Sequence, residues 1–169
     1  GIVALLGSRL ETGLRIRARA HRFLRQAMIE AKAVNHLGIA VTDLDAERAY
    51  YENVLGADFE GVEEVADQKV KVAFYTVGPA EAPVRLELLE PTSEDSPIAK
   101  FIEKNGGRGG LHHVAYTVSD IEARLAELKD AGVRLIDETP RPGAHHTRIA
   151  FLHPKASNGV LTELCEPAK

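Results

Sequence analysis

Asn35-His36-Leu37-Gly38-Ile39-Ala40-Val41 returns in pattern as His112-His113-Val114-Ala115-Tyr116-Thr117-Val118, with 77 positions between His36 and His113. Self-similarity at a fixed offset marks a duplicated structural unit. The same offset carries Asp43 onto Asp120 and Leu44 onto Ile121. Each copy then reads as an amphipathic helix, about 44–55 and 120–131, that runs into a glycine stop, Gly56 or Gly132. Leu86-Glu87-Leu88-Leu89-Glu90-Pro91 returns as Thr162-Glu163-Leu164-Cys165-Glu166-Pro167 at an offset of 76, which places the loss of one residue at or just before the helix stop.

Between helix and final strand each copy has room for two more strands, about 58–65 and 69–77 in the first and about 133–137 and 147–152 in the second. Each unit is therefore βαβββ, the first over about 33–91 and the second over about 110–167. One such unit is marginal alone and leaves a sheet face uncovered. The expected fold class is α+β, two tandem βαβββ modules forming a curved eight-stranded mixed sheet around a metal site. A pseudo-twofold axis would bring equivalent positions together. The segment 91–110 separates the modules and predicts a short helix over 96–104, with Pro97 in its first turn.

The chain has 169 residues, 44% hydrophobic and 27% charged, which excludes disorder, collagen and coiled coil. A net charge of −4 gives no electrostatic reason to bind nucleic acid or an anionic membrane, and no stretch approaches the roughly 20 apolar residues of a membrane span. One cysteine, Cys165, excludes an internal disulfide framework and favours a reducing compartment. The charge is unevenly spread. Residues 1–27 hold six arginines and a single acid, Glu11, for +5, which leaves −9 on the remainder. This basic leader has three readings: an Arg-rich targeting peptide, a helix with capping-box spacing at Ser8 and Glu11 and leucines at 6, 10 and 14, or upstream sequence before a start at Met28. The last is preferred, with the functional domain over 28–169. The expected location is cytoplasmic, or the mitochondrial matrix if the leader is a transit peptide.

Two metal-competent pairs occupy equivalent positions: His36 with His113 in the first strands, and Glu87 with Glu163 in the last. Alternation puts His36, Gly38 and Ala40 on one strand face and Leu37, Ile39 and Val41 on the other. Hydrophobic patterning does not require histidine or glutamate at these places. Two imidazoles and two carboxylates make a nitrogen/oxygen site for a divalent ion, and octahedral coordination would leave two positions open for substrate. His112 should face opposite to His113 and is not counted as a ligand, and Cys165 reads as a small buried residue.

The modules and the His, acid, His, Glu spacing resemble the vicinal oxygen chelate (glyoxalase/bleomycin resistance) superfamily. Within it, the stretches 35–41 and 86–91 quoted above, together with Asp95-Ser96-Pro97-Ile98-Ala99-Lys100-Phe101, Gly110-Leu111-His112-His113-Val114-Ala115 and Phe151-Leu152-His153-Pro154-Lys155, resemble the methylmalonyl-CoA epimerases. The resemblance covers about 32–166. It implies an isomerase of propionate metabolism, a homodimer that interconverts (2R)- and (2S)-methylmalonyl-CoA by moving the C2 proton through a metal-stabilised enolate. It places His36, His113 and Glu163 at ligand positions and Glu87 where relatives have Gln or Glu. Glu87 balances a dication's charge, so the ion should be the weaker Lewis acid. Co²⁺ is the first expectation for that ion, with Mn²⁺, Zn²⁺, Mg²⁺ and Ni²⁺ as alternatives.

Proton exchange on both faces of C2 needs bases on opposite sides. Some relatives supply one from a glutamate where this chain has Val72, which leaves Glu163 and Glu87 as the expected catalytic carboxylates. His145, His146 and Arg148, in a loop that is often glycine-rich in relatives, are candidates for a further base or for holding substrate charge. Lys100 and Lys155 could meet CoA phosphates. The alternatives are a glyoxalase I-type lactoylglutathione lyase, opposed by the motifs between the modules, and a non-catalytic small-molecule-binding protein. The second is opposed by an aromatic content of 5% without tryptophan.

Overall fold

A computed structural model describes residues 27–169, with a compact unit at Ala31–Lys169. The leader and the helix read within it lie outside the described residues. The elements run β1 (Ala33–Ala40), α1 (Leu44–Arg48), β2 (Asp58–Val65), β3 (Val70–Val77), β4 (Val84–Pro91), α2 (Pro97–Lys104), β5 (Gly110–Thr117), α3 (Ile121–Asp130), β6 (Arg141–Pro142), β7 (Arg148–Leu152) and β8 (Thr162–Glu166). They form one eight-stranded sheet in the order β2-β3-β4-β1-β5-β8-β7-β6.

The order is that of a duplicated unit. β1 pairs parallel with β4, β5 pairs parallel with β8, and the two halves join through the antiparallel β1–β5 pair. In that pair Leu37 stands opposite Val114, with His36 opposite Ala115 on one side and Gly38 opposite His113 on the other. The pseudo-twofold axis therefore passes through Leu37 and Val114.

The capping chemistry is duplicated too. Asp43 and Asp120 cap α1 and α3 by accepting from the N–H groups of Ala46 and Ala123. Glu90 accepts from Leu44 N at 2.6 Å and Glu166 from Asp120 N at 2.9 Å, so the repeated Glu-Pro at each module's end ties its last strand to the start of its helix. Gly56 and Gly132 both stand at φ 74°, the left-handed stop read from the sequence.

The helices differ by one residue, and the structure locates it. α1 runs on as a π-helical stretch, Ala49–Val54, where Leu55 N donates to Tyr50 O. An extra helical residue must either rotate everything after it by about 100° or be absorbed in a wider turn. Here the wider turn absorbs it, and Tyr51 keeps its place in the core. Two further length changes cancel downstream. Phe74 pairs with Glu87 and Phe151 with Glu163, so the Val72-Ala73-Phe74-Tyr75 and Ile149-Ala150-Phe151-Leu152 strands are equivalent at an offset of 77 again.

One expected strand differs. Residues 133–137 run beside β7 without forming a regular strand: Leu135 bridges Leu152, the N–H groups of Ile136 and Asp137 both donate to Phe151 O, and His153 N donates to Arg134 O, while the regular pairing comes later, at Arg141–Pro142. The Asp137 carboxylate accepts from Phe151 N at 2.9 Å, taking a donor that a continuous ladder would use. The prolines at 140 and 142 remove two more donors.

Apolar residues fill both faces of the sheet. Val41, Leu44, Tyr51, Tyr75, Leu86 and Leu88 pack under α1. On the concave face Val70, Val72, Phe74 and Leu89 meet Ile98 of α2, while Ile149, Phe151 and Cys165 form a smaller cluster. The sheet curls far enough for the turn after β2 to reach β6: Gln68 donates to Pro142 O at 3.2 Å and Arg141 to Asp67 at 3.4 Å.

Candidate metal centre

Four adjacent strands, β4, β1, β5 and β8, each turn one ionisable side chain to the concave face: Glu87, His36, His113 and Glu163. They are 7%, 4%, 5% and 4% exposed, respectively. His36 Nε2 lies 3.1 Å from His113 Nε2, 3.4 Å from Glu87 Oε2 and 3.8 Å from Glu163 Oε2, and His113 Nε2 lies 3.0 Å from Glu163 Oε2. One ligand atom each from His36, His113 and Glu163 falls within 4.8 Å of the others. Glu87 joins this trio through His36.

The strands set the imidazoles by unequal means. Gly38 lies against His113, and a Cβ there would stand 2.1 Å from Cε1 and 2.4 Å from Nδ1 of the imidazole, far inside contact distance. The symmetry-related contact, His36 opposite Ala115, accommodates a methyl. Gly38 is thus required by a close approach rather than by its backbone angle.

The far nitrogens are held by neighbours that strand alternation would send to the other face. Between Val34 and His36 the β1–β5 register slips, leaving Asn35 as an extra residue. It slips again between Gly38 and Ile39, leaving His112 as one. Such bulges re-aim a side chain. Asn35 Oδ1 lies 2.8 Å from His36 Nδ1, and its amide nitrogen donates to Thr117 Oγ1 at 3.0 Å. His112 Nδ1 lies 2.9 Å from His113 Nδ1. His112 therefore does not point away from His113 as alternation predicts. The visible signal is two consecutive polar residues, at the same offset in both copies, inside an otherwise alternating strand.

Burial decides the protonation of the cluster. Desolvation pulls His36 down to about 4 against the raising effect of Glu163, and pulls His112 down to about 4 as well. Desolvation, then the neighbouring Glu163 charge, pushes Glu87 up to about 8. Burial also opposes ionisation of Glu163, but the hydrogen bond with His113 and the charges of the histidines outweigh it and hold its carboxyl below the ordinary value. The Cys165 thiol is pushed up to about 12 by burial, which suits its place as a small buried residue.

The donors of His36, His113 and Glu163 fit a divalent cation, and Glu87 stands against that trio through its contact with His36. Donors about 2.1 Å from one ion stand about 3.0 Å apart at adjacent octahedral corners and about 3.4 Å apart in a tetrahedron. The observed separations of 3.0–3.8 Å bracket these values. Burial first, and the neighbouring Glu163 charge second, oppose ionisation of Glu87, and a dication would offset both costs.

The other sequence candidates separate clearly. Val72 is buried and apolar on the concave face, beside Leu89, so no carboxylate stands there. Its cross-strand partner is Glu63, which accepts from His145 N at 3.0 Å. The His145 ring stacks on Phe74 with centroids 4.0 Å apart, and it lines a small cavity shared with His36, Glu87 and Glu163. His145 and His146 stand at φ 53° and 59°, where glycine is the easier residue. His146 is exposed, and Arg148 is held by Glu122 and Glu166 rather than turned to the site.

A larger cavity of about 340 Å³ opens beside His113, with Val70, Leu89, Ile98, Phe151 and Leu161 in its walls. A second, of about 390 Å³, lies between Phe101 of α2 and Pro154, and His112 and His113 line it too. Lys100 and Lys155, exposed, are the chain neighbours of those two wall residues.

The family model of the glyoxalase/bleomycin resistance protein/dioxygenase superfamily matches residues 35–151. The chain is 48% identical over 134 residues to the Bacillus subtilis protein YqjC, covering 79% of this chain and 91% of that one. It is 46% identical over 132 residues to the ethylmalonyl-CoA/methylmalonyl-CoA epimerase of Cereibacter sphaeroides, covering 78% and 95%. Among solved structures, a Streptomyces coelicolor methylmalonyl-CoA epimerase variant in complex with 2-nitronate-propionyl-CoA matches with TM-score 0.75 and 39% identity, covering 82% of this chain and 96% of that one.

Proposed function

The chain belongs to the glyoxalase/bleomycin resistance protein/dioxygenase superfamily, and from that premise we propose that it is a metal-dependent methylmalonyl-CoA epimerase. The observation that carries this is the convergence of His36, His113, Glu163 and Glu87 beside an apolar cavity, in a chain with relatives named for that reaction. The C2 proton lies between a thioester and a carboxylate, so its removal leaves an anion delocalised into the thioester oxygen. When bound, a divalent ion held by the four side chains supplies Lewis acidity toward that oxygen. Co²⁺ is the ion to try first. A nitrogen and oxygen donor set also accepts Mn²⁺, Zn²⁺, Mg²⁺ and Ni²⁺.

Epimerisation breaks the C2–H bond on one face and makes a new one on the other. Two proton carriers on opposite sides are therefore required. We assign them to Glu163 on β8 and Glu87 on β4, which flank the two histidine strands. His145 lines the small cavity that Glu87 and Glu163 share, and its ring stacks on Phe74, the cross-strand neighbour of Glu87, so it is a further protonable group on that face. The apolar walls exclude water from the anion. The second cavity suits the pantetheine arm, with Lys100 and Lys155 near its ends.

The test is hydrogen–deuterium exchange at C2 of methylmalonyl-CoA in heavy water, with and without Co²⁺. Metal-dependent exchange with inversion is expected, and Glu163→Gln should lower it by about 10²–10⁴-fold. Turnover of a glutathione hemithioacetal without C2 exchange would instead establish the lyase, and absence of both with retained ligand binding would establish a binding protein. A homodimer is part of the proposal, as is a domain beginning near Met28. Light scattering checks the first, and full exchange activity of a chain started at Met28 checks the second.

A further inference from the structure

We propose that Asn35 and His112 are a matched pair of positioning residues, each set by its own β-bulge. They hold Nδ1 of the following histidine so that both Nε2 atoms offer a lone pair to a divalent cation. The inference rests on the cation site, but not on which reaction the site performs.

A neutral imidazole carries its proton on one nitrogen and a lone pair on the other, so what binds Nδ1 decides what Nε2 can do. Asn35 settles this for His36. Its amide nitrogen is committed to Thr117 Oγ1, which leaves Oδ1 to accept a hydrogen bond from His36 Nδ1–H. His113 has the same need, and the residue at the equivalent bulge is His112, 2.9 Å away through Nδ1. With a cation on His113 Nε2 in place of the hydrogen bond from that nitrogen to Glu163, His112 accepts at Nδ1 and carries its own proton on Nε2. Phe101 fixes its ring, edge to face, with centroids 5.0 Å apart.

Three independent features coincide at each half of the site: an extra strand residue, a polar side chain on it, and a nitrogen contact under 3 Å to the next histidine. Without the bulges both side chains would alternate onto the convex face. A partner that donates the second imidazole N–H to an acceptor orients a metal-binding histidine and raises its basicity, and losing it costs about 10–100-fold in metal affinity.

The internal repeat supplies the experiment, because Asn35 shows which residue can do the work of His112. Co²⁺ affinity is measured by titration on the full chain for wild type, His112→Leu and His112→Asn. Leucine keeps apolar packing against Phe101 but accepts no proton, and should weaken binding about 10–100-fold. Asparagine should restore affinity to within about threefold of wild type. A second readout is imidazole N–H proton NMR of the Zn²⁺-loaded protein. Wild type should show two slowly exchanging Nδ1–H signals, His112→Leu should lose one of them, and Asn35→Leu the other. Equal Co²⁺ affinity in His112→Leu and wild type would overturn the positioning role while leaving the metal site intact. Equal weakening in His112→Asn and His112→Leu would overturn it as well. Failure of the wild-type protein to bind Co²⁺ or Zn²⁺ would overturn both this and the metal-dependent reading.

Discussion

Gly38 separates the requirements of the fold from those of the site. The three atoms nearest to a Cβ built there all belong to the His113 ring. Gly38→Ala should therefore leave the sheet standing, since the obstructing atoms belong to a side chain that can rotate away. The imidazole must leave the cluster to do so. Expected are a melting temperature within a few degrees of wild type and a Co²⁺ affinity at least tenfold weaker. The same ionisable cluster sets the pH dependence of the metal-free protein. Glu87 binds its proton more tightly folded than unfolded, so it contributes stability that is lost as pH rises from 4.5 toward about 8. His36 and His112 are depressed from 6.5 to about 4, so they contribute stability that is lost as pH falls through that window. With chelator present, stability should peak between about pH 6 and 7 and decline toward 8, and saturating Co²⁺ should abolish the alkaline decline by keeping Glu87 ionised. Thermal unfolding across pH with and without metal checks this. A decline that persists with metal bound would remove Glu87 from the ligand set. The four ionisable residues were legible in the sequence because repetition singled them out. The placement of Asn35 and His112 beside the imidazoles was not, because alternation assigns them to the other face and only a register slip moves them back.

Among the elements, the helices and the loop before β7 show how the copies diverged around a fixed site. The change of offset from 77 to 76 located a missing residue correctly, but how the longer helix holds the extra one is not a matter of spacing. Packing of Tyr51 and Leu44 decides it, and the π-helical turn is the result. Residues 133–137 depart from the expected strand for a similar reason, since a side chain, Asp137, takes over a ladder donor. The loop holding His145 and His146 keeps two consecutive left-handed residues without glycine, each costing on the order of 1 kcal/mol. His146 is exposed, so His146→Gly should raise the melting temperature by a few degrees with exchange activity intact. His145 stacks on Phe74 at the cavity wall, so His145→Ala should separate two roles. If His145 is the proton carrier on the Glu87 side, exchange falls at least 10²-fold with Co²⁺ affinity unchanged. If Glu87 is, His145→Ala stays within a few-fold of wild type and Glu87→Gln carries the loss.

Across the whole molecule, the duplication places half of the proposed ligand set in each module: His36 and Glu87 in the first, His113 and Glu163 in the second. A single βαβββ unit cannot assemble the cluster, and its open β1 or β5 edge would present unpaired backbone groups along the line of the dyad. The metal and the central β1–β5 pairing should therefore support each other thermodynamically, since an ion that bridges the modules binds only when they are joined. The segment between the modules offers a place to test this, because Gly106 and Gly107 form an exposed turn there. Two fragments divided between those glycines, the first starting at Met28, should show no Co²⁺ spectrum of the intact site when separate. Mixed in equal amounts, they should regain it, and Co²⁺ should tighten their association by the same factor by which association tightens Co²⁺ binding. Sedimentation with and without metal measures the first factor and spectral titration the second. Co²⁺ bound by one fragment alone with the affinity of the whole chain would show that the four side chains do not act as one site.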